Sequence, residues 1–261
     1  MTTTIALAGK GGVGKTTVAG MLIKYLAQNQ PGSILAIDAD PSSNLNMVLG
    51  LELDFTVGEI REDMLHQVKE TLAQGGAAMG GLPGGISKRE YLEYHVRSSL
   101  SEGSRFDLIA MGRGEGQGCY CAVNHNLREV IDGMSKHYAY VVIDNEAGME
   151  HLSRRTTRDV QHLLIVSDPS QRGLVAAQRI YDMSKELDVR IEHSYLIINR
   201  LRGELPVEAV NFVEKMGITL LGTIPADQEL TDFDYSGRPL VDLPDSSIVY
   251  QTVSAMLGKI L

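Results

Sequence analysis

The sequence predicts an α/β fold: one doubly wound, mainly parallel sheet with helices on both faces. Three observations predict it. Short apolar, β-rich runs recur along the chain, helical periodicities fill most of the gaps between them, and glycine and polar clusters punctuate the joins. Strands alternating with helices make βαβ units, which need a sheet covered on both sides.

The elements follow in order. "TIALAG" (Thr4 to Gly9) reads as the first strand, and Val18, Met21, Leu22, Tyr25 and Leu26 then recur at helical spacing. "SILAID" (Ser33 to Asp38), "FDLIAM" (Phe106 to Met111), "AYVVID" (Ala139 to Asp144), "HLLIVS" (His162 to Ser167), "SYLIIN" (Ser194 to Asn199) and "ITLLGT" (Ile218 to Thr223) read as further strands. Leu174, Ala177, Ile180, Tyr181 and Leu187 mark one face of a helix near 171–188. Right-handed crossovers place the functional loops at the carboxyl ends of such strands. "AQGGAAMGGLPGGIS" (Ala73 to Ser87) breaks the pattern and reads as a loop or lid. No repeat and no second core is visible, so residues 1–261 read as one domain, with about 55–105 an insertion.

Composition narrows the function. The chain of 261 residues carries a net charge of −9 and lacks a dense Lys/Arg run, which argues against a nucleic-acid backbone as partner. The absence of Trp argues against a stacking surface for bases or sugars. No apolar run approaches the roughly 20 residues needed to span a bilayer. The amphipathic end "SSIVYQTVSAMLGKIL" has one Lys, fewer than an interfacial anchor uses, and reads as a docked helix without stable membrane association. With two Cys and no signal-peptide pattern, a reducing cytoplasm is the expected compartment.

"GKGGVGKTT" (Gly9 to Thr17) matches G-x-x-x-x-G-K-[ST] between a strand and a helix. Such a loop points backbone N–H groups inward, and these bind phosphate together with the helix N-terminus. Gly9, Gly11, Gly12, Val13, Gly14 and Thr17 form the cradle, Lys15 reaches the β- and γ-phosphates, and the Thr16 hydroxyl suits Mg²⁺. The fold class is therefore a P-loop NTPase. Lys10 is a second cation in the loop. With it the loop resembles K-G-G-x-G-K-[ST] of the deviant P-loop family, which includes the nitrogenase iron protein, the MinD and ParA positioning ATPases and metal-insertion ATPases. That resemblance implies a homodimer in which Lys10 crosses to the partner's nucleotide and stabilises transferring charge, in the manner of an arginine finger.

Other motifs extend the resemblance. "DADPSSN" (Asp38 to Asn44) stands where the family has its first switch, which implies that Asp40 orients the attacking water and belongs to the Mg²⁺ site with Thr16. "DNEAG" (Asp144 to Gly148) looks like the second switch, which implies that Asp144 holds Mg²⁺ through water. Either Asp could also be a helix cap. "INR" (Ile198 to Arg200) and "IPADQE" (Ile224 to Glu229) resemble the adenine loops. This implies base contacts by Asn199 and Arg200 and a pocket closed by Pro225, Ala226 and Asp227, although turn chemistry accounts for the same residues. No N-K-x-D occurs, so ATP is preferred to GTP.

"GQGCYCAVNHN" (Gly116 to Asn126) holds both cysteines, Cys119 and Cys121. In an extended loop residues i and i+2 point to one side. A two-fold axis beside them would double two thiolates to four, a set suited to Zn²⁺, and to Cu(I), iron–sulfur or planar Ni²⁺. Two small Cys packed in a loop is the plain alternative. "MGRGEGQGCYCAVN" and "DNEAGMEHLSRRTT" resemble the nickel-insertion ATPases of the CooC type. The resemblance implies an ATP- or metal-promoted homodimer that carries nickel on Cys119 and Cys121 to carbon monoxide dehydrogenase or acetyl-CoA synthase. His125, Glu150 and His151 stand nearby as transfer ligands or as surface polar groups. An iron–sulfur reductase like the nitrogenase iron protein is a competing reading, weakened because "DNEAGMEH" lacks a Cys. A positioning ATPase is another, and it gives the two thiols no role.

Overall fold

The computed structural model describes residues 2–73, 82, 85–113, 121–147, 159–186 and 189–261. In chain order the elements are β1 (Thr3–Gly9), α1 (Lys15–Asn29), β2 (Ile34–Ala39), α2 (Leu45–Leu49), α3 (Val57–Ala73), α4 (Lys88–Ser98), β3 (Ser101–Glu102), β4 (Phe106–Ala110), α5 (Cys121–Ser135), β5 (Tyr140–Asn145), β6 (Asp159–Ser167), α6 (Gln171–Glu186), β7 (Arg190–Leu201), α7 (Val207–Met216), β8 (Thr219–Pro225), α8 (Gln228–Tyr235) and α9 (Ile248–Leu257).

Eight strands form one sheet in the order β3-β4-β2-β5-β1-β6-β7-β8. Every neighbouring pair is parallel except β3 with β4. The central strand β1 shows why helices must cover both sides. Ile5 and Leu7 enter one core and Ala6 and Ala8 the other, all with no exposed surface. The first core packs against α1, α2, α8 and α9, and the second against α3 to α7.

Each strand expected from the apolar pattern is present, and β6 and β7 begin earlier than their apolar runs. The antiparallel edge strand β3 was not expected. It pairs Ser101 with Leu108 and Glu102 with Asp107, closed by a bond from the Gly103 N–H to the Phe106 carbonyl. A two-residue strand carries no readable period. The segment expected as an insertion contributes α3, α4 and β3, and most of the glycine-rich loop 73–87 lies outside the described residues.

The C-terminal helix α9 buries Val249, Tyr250, Val253, Met256 and Leu257 against the α1 side of the sheet. Among the described residues no helix is long and apolar enough to cross a membrane.

Candidate functional site

The glycine loop joins the carboxyl end of β1 to α1, beside the ends of β5 and β6. Two glycines are demanded by geometry. Gly14, the N-cap of α1, has φ 89°, and a Cβ there would stand 2.5 Å from the Asn199 Nδ2. A Cβ on Gly9 would stand 2.3 Å from the Val166 carbonyl oxygen of β6. The loop is also braced from β7. The Asn199 Nδ2 donates to the Val13 carbonyl at 2.8 Å, and the Arg200 guanidinium donates to the Gly12 carbonyl at 2.8 Å. Arg200 takes a left-handed φ of 58° to do so, with its N–H donating to the Asn199 Oδ1 at 2.9 Å. Lys15 is buried, and its Nζ reaches the Lys10 carbonyl at 3.4 Å.

Two carboxylates stand behind this loop. Asp38 and Asp144 are register partners on β2 and β5, and both are buried. The Asp38 oxygens accept from the N–H groups of Asp40 at 3.0 Å and Leu45 at 2.9 Å. Burial nevertheless pushes its carboxyl up to about 6. Burial pushes Asp144 up to about 7, although the Thr16 hydroxyl donates to it and the Lys15 charge opposes the shift; the Asp38 and Asp40 charges add to it. The Asp144 Oδ1 is buried with no hydrogen-bond partner among the described residues. An orphaned carboxylate oxygen next to a threonine hydroxyl fits a hydrated divalent cation, because Mg²⁺ takes oxygen ligands and keeps several waters. Asp40 is half-buried, and its Oδ1 accepts from the Ser42 N–H at 2.9 Å and the Ser42 hydroxyl at 2.5 Å.

A groove of about 600 Å³ opens beside the loop and is lined by Thr17, Asn199, Arg200, Pro225, Ala226 and Asp227 among others. That volume is in the range of small-molecule sites. The fold thus brings the end of β7 and the β8–α8 turn to the P-loop. The Asp227 side chain caps α8 by accepting from the Leu230 N–H at 2.9 Å. Sequence reasoning left Asp38, Arg202 and Tyr235 without a role. Asp38 anchors the turn from Asp40 to Leu45, and Arg202 and Tyr235 line the groove.

Cys121 is the first residue of α5. The expectation that it lies in an extended loop is corrected, because the helix begins on it. Cys119 lies outside the described residues, as do Gly148, Glu150 and His151, and the side chain of His125 is not described.

The CobQ/CobB/MinD/ParA nucleotide binding domain profile matches residues 4–240. The chain belongs to this family. It is a P-loop ATPase. An ATP-binding protein of Methanocaldococcus jannaschii is 42% identical over 257 residues, 98% of each chain. The carbon monoxide dehydrogenase accessory protein CooC of Rhodospirillum rubrum is 32% identical over 248 residues, 92% of this chain and 89% of that one. Among solved structures, the ParA family ATPase of Chlorobium tepidum superposes with a TM-score of 0.70 over 98% of both chains at 18% identity, a likeness of fold.

Proposed function

We propose that this family member is an ATP-driven metallochaperone. It acts as a homodimer, carries a metal ion, nickel in vivo, on Cys119 and Cys121 of each subunit, and assists insertion of that ion into carbon monoxide dehydrogenase or acetyl-CoA synthase. The observation that carries the reading is a backbone bond. The Met111 N–H at the end of β4 donates to the Asp38 carbonyl at 2.8 Å, and the Gly58 N–H donates to the Met111 carbonyl at 2.9 Å. The segment that leads to the C-x-C pair therefore starts on the residue that anchors the first switch. On this reading metal affinity and nucleotide state are linked, and that contact is where the two segments meet. The similarity to CooC supports the client.

On this reading the P-loop N–H groups and Lys15 hold the ATP phosphates, and the groove of Asn199, Arg200, Pro225, Ala226 and Asp227 takes the adenine. Thr16 and Asp144 hold Mg²⁺, Asp144 through water. The ion's part is to neutralise phosphate charge during transfer. Asp40 orients the attacking water, and Lys10 crosses the dimer to supply a further cation to the partner's transferring phosphate.

The test is metal content per chain, on protein purified without oxygen and without affinity-tag metal, with and without Mg-ATP. About half an ion of nickel or zinc per chain is the expected outcome, since one tetrathiolate would be shared across a two-fold axis. Iron with sulfide would replace this reading by a reductase. No metal in either state would leave a plain dimeric ATPase.

A further inference from the structure

β6 and β7 begin before their apolar runs, and the extra residues carry two histidines. His162 of β6 and His193 of β7 are register partners in a parallel pair. Side chains alternate between the faces of a strand, so His162 shares a face with Leu164 and Val166, and His193 shares it with Tyr195 and Ile197, on the α1 side of the sheet. The imidazole centroids stand 5.7 Å apart, with the rings 23° from parallel. The Tyr195 ring completes a triangle, 6.1 Å from His162 and 6.3 Å from His193. Among the described residues no other pair of histidine rings is in contact. His162 also pairs with Ile5 of β1, which precedes Gly9 by roughly 13 Å of strand, so the histidines lie apart from the phosphate loop.

The fold leaves the ring nitrogens unused. His162 is partly buried and His193 is exposed. The His162 Nδ1 is buried, and among the described residues it has no hydrogen-bond partner. Neither ring has a hydrogen bond or an ion pair among those residues. A buried ring nitrogen is ordinarily paired, and a cation is one partner that would satisfy its lone pair. Burial first, and then the His193 charge, hold the His162 ring below its ordinary value, while the Glu192 charge opposes them. The ring is therefore neutral at neutral pH, which is the form that ligates a metal.

We propose that His162 and His193 form a metal site for a late first-row divalent cation, Cu²⁺, Ni²⁺ or Zn²⁺, with water completing the coordination. Imidazole nitrogen suits these ions. Metal–nitrogen bonds of about 2.0–2.1 Å require the two ligating nitrogens to lie within about 4 Å of each other. Register partners on strands about 4.8 Å apart come into that range when one ring turns about its Cβ–Cγ bond, and the exposed His193 has room to do so. Two protein ligands hold an ion more weakly than four, so the site is read by titration and not from the metal content of purified protein. It rests on neither the ATPase reading nor the thiolate site.

The experiment uses the full chain with Cys119→Ala and Cys121→Ala, free of tag histidines and of nucleotide, so that failure or success of the thiolate reading does not enter. Zn²⁺ is titrated by calorimetry at neutral pH into this parent and into its His162→Gln and His193→Gln derivatives, with circular dichroism to confirm that all fold alike. Binding of one ion per chain in the parent, weakened tenfold or more by either substitution, supports the site. One equivalent of Cu²⁺ gives a second readout by electron paramagnetic resonance: nitrogen couplings from two imidazoles are expected in the parent and from one in each derivative. Should His162→Gln fail to fold, the exposed His193 decides by both measurements. The proposal is overturned if the parent binds neither ion, if His193→Gln binds Zn²⁺ as the parent does, or if the Cu²⁺ spectrum of the parent shows fewer than two imidazoles.

Discussion

The side-chain amide of Asn199 donates to the carbonyl of Val13 at 2.8 Å, so the end of β7 holds the P-loop from behind. The same Nδ2 blocks any side chain at Gly14. Asn199→Ala is expected to loosen the phosphate cradle and weaken Mg-ADP binding about tenfold, the scale of one buried hydrogen bond with its carbonyl left unpaired. Calorimetry with ADP and with inorganic tripolyphosphate separates two roles. A brace loosens both ligands, whereas a residue that only reads the base weakens ADP alone.

Asp38 and Asp144 make stability depend on pH in an unusual direction. Burial raises them to about 6 and about 7 from an ordinary 3.8. Between about pH 4 and 7 the native chain keeps protons that the unfolded chain has released, so stability falls as pH rises through that window and levels off above it. Without Mg²⁺, urea unfolding is expected to show a loss on the order of 2 kcal/mol from pH 5 to pH 8. Added Mg²⁺ should stabilise most at pH 8. Asp144→Asn should flatten the profile and abolish the Mg²⁺ effect. A metal-free chain that becomes more stable toward pH 8 contradicts the orphaned-carboxylate picture.

Lys24 ties α1 to the C-terminal segment. Its buried ammonium donates to the Leu243 carbonyl, pairs with Asp245 at 3.0 Å and stands 4.6 Å from the Tyr250 ring centroid. Lys24→Ala is expected to cost about 1–3 kcal/mol by leaving a buried carbonyl unpaired and removing the packed stem. Asp245→Asn should change little, because that carboxylate is 71% exposed. Urea midpoints of the two variants test the asymmetry.

Cys119→Ala and Cys121→Ala are each expected to reduce bound metal by tenfold or more while ATP hydrolysis without metal persists, since neither belongs to the phosphate site. Metal analysis and a phosphate-release assay on the same preparations read both quantities. Unchanged metal content in either variant removes the thiolate site.

Much of the site was legible because its motifs are local. The P-loop spans Gly9 to Thr17, and a strand before it with a helix after it is sufficient context. The strands were legible because a sheet covered on both faces makes each of them a short apolar run, and β1 is apolar toward both cores. What escaped depends on residues far apart in the chain. The β3 hairpin has too few residues for a period. Asn199 could be placed after a strand, but nothing local shows that its partner is Val13, 186 positions away. Asp38 was passed over for Asp40, because only the fold sets Asp38 against Asp144 in adjacent strands.

By itself the sequence determined the α/β class, the order of strands and helices, the phosphate loop and its two lysines, because each rests on spacing within a few turns of chain. Only the tertiary structure decided which carboxylate is buried, which side chains brace the loop, and that Lys10 lines a cavity together with Arg172 and Arg179. The physical reason is burial. Desolvation and hydrogen-bond partners are set by whatever packs against a residue, and in a parallel sheet that neighbour comes from a distant strand or helix.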